Sequence, residues 1–86
     1  LHSELRLAVM SLLVSVEEAD FVYLREQTGA TAGNLSVQIE KLSRAGYVSV
    51  DKGFVGKRPR TTCRITPRGV TAFGEYVEAL KSYIGQ

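Results

Sequence analysis

The 86-residue sequence predicts an α+β fold of three helices, a two-stranded β-hairpin and a closing C-terminal helix. Three observations carry that expectation. Apolar residues recur at helical spacing up to Leu42. After Gly46 the apolar period shortens to two, as half-buried strands require. Thr66-Pro67 then restarts a helix, a capping residue followed by proline at the first helical position. The length suits one domain over 1–86 and excludes a TIM barrel of about 250 residues or a two-halved dinucleotide fold. Its 44% apolar content and net charge of +2 exclude a disordered chain. No apolar run approaches the ~20 residues of a membrane span, and no membrane partner is expected. The chain begins at Leu1, as a trimmed chain would, and no signal peptide is read there. A single cysteine, Cys63, fits a reducing cytoplasm.

Helix 1 is expected over 2–15, with Leu5, Ala8, Val9, Leu12 and Leu13 at helical spacing and Ser3 as its cap. Residues 15–20 read as a polar connector. Asp20 suits the N-cap of a second helix over about 21–28, with Phe21, Val22 and Leu24 buried and Gly29 as the stop. Thr31 caps a third helix, about 32–45, ended by Gly46. Leu35, Ile39 and Leu42 lie within about 60° of one another on a helical wheel and form its core stripe. Its opposite face carries Gly33, Asn34, Val37, Glu40, Lys41 and Arg44, with Gln38 on the flank. The 20–45 segment is thus a helix-turn-helix. In the 46–66 segment, Val48 and Val50 share one strand face, and Cys63 and Ile65 share another with Arg64 opposed. Two glycines and a proline between them predict a long basic tip over 53–60 instead of a tight two-residue turn. The last helix spans 67–84.

Charge is segregated along this order. Residues 1–40 hold two basic and six acidic residues, whereas residues 41–68 hold eight basic residues and only Asp51 as an acid. Such concentration is the electrostatic footprint of a phosphate-backbone binder.

Helix, helix, turn, helix, basic hairpin and closing helix is the winged helix-turn-helix order. The segments 31–36 through Leu42, Ala45-Gly46-Tyr47-Val48, Lys57-Arg58-Pro59-Arg60-Thr61 and Ile65-Thr66-Pro67-Arg68-Gly69 resemble the short winged-helix transcriptional regulators related to the MarR group. The resemblance covers nearly the whole chain. It implies a homodimer that binds double-stranded DNA and controls transcription. Larger members of that group carry extra helices framing an effector pocket, and the length here leaves no room for them, so no small-molecule effector is expected.

The residues support the same reading independently. A helix fits the B-DNA major groove, where base edges present distinguishable donors and acceptors. Asn34 and Gln38 suit adenine, Lys41 suits guanine or phosphate, and Val37 a thymine methyl. Thr31 and Ser36 suit phosphate near the helix start, and Arg44 extends the basic face. Glu40 is the discordant acid, expected to point away from phosphate. Lys57-Arg58-Pro59-Arg60 packs three cations into four residues, which repel one another without an anionic partner. Arg58 or Arg60 is expected to enter the minor groove, whose narrow stretches attract arginine, with the others on phosphate. Arg64 and Arg68 are expected phosphate contacts.

The last helix spaces Val70, Phe73, Val77, Leu80 and Ile84 in a heptad-like repeat. Its first half is expected to pack on helix 1; Val77, Leu80, Tyr83 and Ile84 are assigned to a dimer interface, with Gly74 permitting a close helix crossing. Catalysis lacks support, since His2 is the sole histidine and has no partner group. No ligand spacing points to a metal, no cofactor motif is present, and Cys63 reads as a small buried apolar residue. Two alternatives remain open: a winged-helix protein-interaction module, and a non-specific architectural DNA-binding protein.

Overall fold

A computed structural model describes residues 4–83. Its elements run α1 (Glu4–Val16), β1 (Glu18–Asp20), α2 (Phe21–Thr28), α3 (Ala32–Arg44), β2 (Val48–Val55), β3 (Arg58–Ile65) and α4 (Pro67–Tyr83). The expected cap Ser3 and the interface residue Ile84 lie outside the described residues. The three antiparallel strands order as β1-β3-β2.

The local signals for the helix-turn-helix are met. The Asp20 carboxylate accepts from the Tyr23 amide at 2.7 Å and caps α2. Gly29 ends α2 at φ 70°, where a side chain would be strained. Thr31 Oγ1 accepts from the Asn34 amide at 3.2 Å and caps α3. Leu35, Ile39 and Leu42 are buried against Val9, Met10 and Leu13 of α1, Leu24 of α2, and Ala19, Val48 and Cys63 of the sheet. Val22, expected inside, is 62% exposed. The eight-residue α2 buries only a narrow stripe centred on Leu24, and Val22 falls on its far side.

Two expectations about the β region are corrected. The connector ahead of α2 contains strand β1, which pairs Glu18, Ala19 and Asp20 with Arg64, Cys63 and Thr62. Three residues, two of them acids, are too few to show a period of two. What recruits them is the free edge of β3, the burial of Ala19 over Cys63, and arginines awaiting the two carboxylates. The sheet therefore has three strands, not two.

The hairpin also has no long tip. Pairing is continuous from Val48–Ile65 to Val55–Arg58, leaving Gly56-Lys57 as a two-residue turn with Gly56 at φ 64°. Pro59 does not break it. The pair flanking such a turn exchanges hydrogen bonds, so the next pair, Phe54 with Pro59, needs no amide from proline.

One junction locks α3, the wing and α4 together. Gly46 at φ 84° ends α3, with its amide on the Ser43 carbonyl and the Tyr47 amide on the Leu42 carbonyl, each at 3.0 Å. Thr66 Oγ1 donates to the Gly46 carbonyl at 2.6 Å and accepts from the Gly69 amide at 3.0 Å, capping α4. Gly69 is buried beneath this junction, where a Cβ would overlap the Tyr47 carbonyl oxygen and lie 2.9 Å from Ile65 Cγ1. Gly74, expected to permit a close crossing, has nothing among the described residues within 4 Å of such a Cβ. On α4 Phe73 packs against the core, while Val70 is 50% exposed.

Candidate nucleic-acid interface

Helix α3 and the wing stand on two sides of one open groove. Ser36, Ile39, Glu40 and Ser43 line it from α3, Val50, Lys52 and Thr61 from the wing, and Phe21 completes the lining. Its volume is about 660 Å³. Pairing register explains the wing's contribution. Val48, Val50, Lys52 and Phe54 share one face with Ile65, Cys63, Thr61 and Pro59. That face begins in the core at Val48 and leaves it towards the tip.

The candidate residues of α3 divide into three rows. Val37 and Arg44 form the outward ridge, with Val37 49% exposed. Ser36 is exposed on the wing side; Asn34 and Lys41 are exposed on the side facing α1, and Thr31 sits at the helix start. Gln38 is half-buried and already engaged. Arg6 Nη1 donates to its Oε1 at 2.6 Å, and its Nε2 donates to Asn34 Oδ1 at 3.3 Å. Arg6 of α1 thus braces the two amide side chains singled out for base reading. Glu40 faces the groove and pairs with Arg44 at 3.4 Å.

The wing cations are not equivalent. Arg58, Arg60 and Arg64 lie on the wing face opposite the groove, together with Glu18 and Asp20 of β1. Arg60 pairs with Asp20 at 3.3 Å, and Arg64 pairs with Glu18 through a short contact. Lys52, Lys57 and Arg58 have no intramolecular ion pair among the described residues. Exposed pairs of this kind contribute about 0–1 kcal/mol, so phosphate can displace them. Arg68 is exposed at the start of α4, its guanidinium 5.9 Å from the centre of the Tyr47 ring.

Sequence reasoning overlooked Arg6, Lys52 and Tyr47. Lys52 could have been found by continuing the Val48, Val50 alternation one step. Arg6 and Tyr47, which with Lys41 line a shallow pocket on the α1 side of α3, meet only through tertiary packing. Of the assigned interface residues on α4, Val77 is half-buried, Leu80 is 47% exposed and Tyr83 closes the helix. Cys63 is fully buried, its thiol pushed up to about 11 by burial first and by the Asp20 carboxylate second. No cluster of three or more metal-ligating side chains occurs among the described residues, and none of their helices is long and apolar enough to cross a membrane.

A family model for the winged helix DNA-binding domain matches residues 5–84. The chain belongs to this family. The winged-helix domain is 34% identical over 76 residues to the uncharacterized protein MJ0432 of Methanocaldococcus jannaschii, covering 88% of this chain and 83% of that one. Among solved structures it is similar to a transcriptional regulator homologue from Pyrococcus horikoshii OT3, with a TM-score of 0.85 and 33% identity over 92% of this chain and 78% of that chain. Two more distant structures share the fold. They are NadR in complex with 4-hydroxyphenylacetate (TM-score 0.71, 22% identity, 96% of this chain, 63% of that one) and Bacillus subtilis PadR in complex with operator DNA (TM-score 0.71, 18% identity, 87% and 48%). The winged-helix domain is thus a DNA-binding domain of the kind found in transcriptional regulators.

Proposed function

We propose that this domain is a sequence-specific transcriptional regulator that acts as a homodimer in the cytoplasm, without catalytic activity. Helix α3 enters the major groove with its Val37 and Arg44 ridge foremost, and Asn34 reaches a base edge from the flank braced by Arg6. The wing lies along the adjacent minor groove with Lys57 and Arg58 at its tip. Lys41, Arg68 and, after exchange of their carboxylate partners, Arg60 and Arg64 contact phosphate. Thr31 and Ser36 contact phosphate beside the α3 start. Gln38 positions Asn34 and does not itself read a base.

One observation carries this reading: the exposed polar side of α3, through Ser36, Glu40 and Ser43, and the wing, through Lys52 and Thr61, border the same open groove, with Lys57 and Arg58 exposed at the wing's tip. PadR with its operator supports it as a protein of the same fold on DNA. NadR, which shares the fold, holds 4-hydroxyphenylacetate, and the proposal here names no effector.

Selection of binding sites from random duplexes tests the proposal. The expected product is a pseudo-palindrome with half-sites about one helical turn apart. Equal affinity for all unrelated duplexes would overturn sequence specificity, and no affinity for any duplex would overturn the reading as a whole.

A further inference from the structure

The wing carries an aromatic residue where a cationic tip has no structural use for one. Phe54 is 74% exposed, the largest exposure among the bulky apolar residues described, and sits one pair before the Gly56-Lys57 turn. It lies on the groove face, two residues beyond Lys52, and its cross-strand partner is Pro59. The core ended at Val50, so Phe54 covers nothing buried. Lys52 on the same face and Lys57 in the adjoining turn have no ion-pair partners among the described residues, while Arg58 lies on the opposite face of the tip. An exposed apolar ring on a hairpin tip that also carries Lys52, Lys57 and Arg58 is poorly suited to another protein's apolar surface and well suited to a polyanion with an apolar interior. Stacked base pairs behind a phosphate wall are such a partner.

Resting on the docking mode proposed above, we propose that Phe54 is a wedge that enters the minor groove at a pyrimidine–purine step and bends the duplex. Pro59 stiffens the strand behind the ring, so little freedom is lost on insertion. Lys52 on the same face and Lys57 at the turn hold the neighbouring phosphates. Pyrimidine–purine steps unstack most readily, so the wedge selects them without a hydrogen bond to any base.

The experiment uses end-labelled duplexes about three helical turns long, one with a central TA step and one with a central A-tract. Fluorescence energy transfer between the ends reports the bend. The wild-type protein is expected to bind the TA duplex roughly tenfold more tightly and to bend it. Phe54→Ala should abolish both the preference and the bend while leaving the salt dependence of binding unchanged, because no cation is removed. Because the chain has no tryptophan, Phe54→Trp adds a single reporter. Its emission should be quenched and shielded from acrylamide on the TA duplex. A Phe54→Ala protein that still bends and still prefers the TA step would overturn the wedge while leaving the docking mode standing. Wild-type protein that binds neither these duplexes nor any duplex recovered by site selection would overturn both. Quenching of Phe54→Trp on raising protein concentration without DNA would instead assign the ring to a contact between copies and overturn the wedge.

Discussion

Gly69 and Gly74 lie on the same helix and make opposite demands. A methyl group at Gly69 would collide with the Tyr47 carbonyl and Ile65, both of which are held by the α3–α4 junction. Gly69→Ala is expected to destabilise the fold by about 1–3 kcal/mol, read as a lower urea midpoint. Gly74 meets nothing among the described residues, so Gly74→Ala should stabilise by about 0.5–1 kcal/mol through helix propensity. Destabilisation at Gly74 would place it against a second copy. Cys63 offers a titration at the same scale. Its thiol keeps its proton to about pH 11 in the folded state, against an ordinary value of 9.0, so the native state holds a proton that the unfolded chain releases between these values. The stabilisation is complete below pH 9 and fades as pH rises towards 11. The stability advantage of wild type over Cys63→Ala should shrink across that window, and the native thiol should resist disulfide reagents at neutral pH.

At the scale of elements, β1 decides which wing cations face a ligand unpaired. Its two carboxylates lie beside Arg60 and Arg64, and Lys57 and Arg58 at the tip have no ion pair among the described residues. Replacing Lys57 or Arg58 with Ala is therefore expected to lower the salt slope of DNA binding by about 0.9 per lost phosphate contact. Arg64→Ala should lower it less, since Glu18 already competes with phosphate for that guanidinium. Equal losses at all three positions, measured by titration at several salt concentrations, would show that the β1 pairs do not persist on DNA. The helices were legible because caps and stops act within a few residues: Asp20, Gly29, Thr31 and Gly46 each do locally what their side chains dictate. Strand β1 and the tight wing turn were not, because a strand is stabilised by its neighbour. Neither three residues nor a Gly-Lys pair shows which register that neighbour will impose.

For the whole molecule, the dimensions of 51 × 25 × 21 Å describe an elongated body. Leu80 remains about half exposed near the far end of α4, in line with Val77. Light scattering at micromolar concentration is expected to give twice the 9.4 kDa chain mass, and Leu80→Glu to return the chain mass with the helical content retained. A wild-type particle of 9.4 kDa would end the dimer proposal.

The amino-acid order determined the helix-turn-helix, the position of the wing and the concentration of positive charge over residues 41–68. These depend on spacing, capping and counting, which are properties of neighbouring residues. The fold alone decided that Gln38 is held by Arg6, that Arg60 and Arg64 are matched by the acids of β1, and that Glu40 and Lys52 share a groove. Each of those facts joins residues far apart in the chain, and the direction of a side chain towards a distant partner is set by packing and strand register, not by local preference.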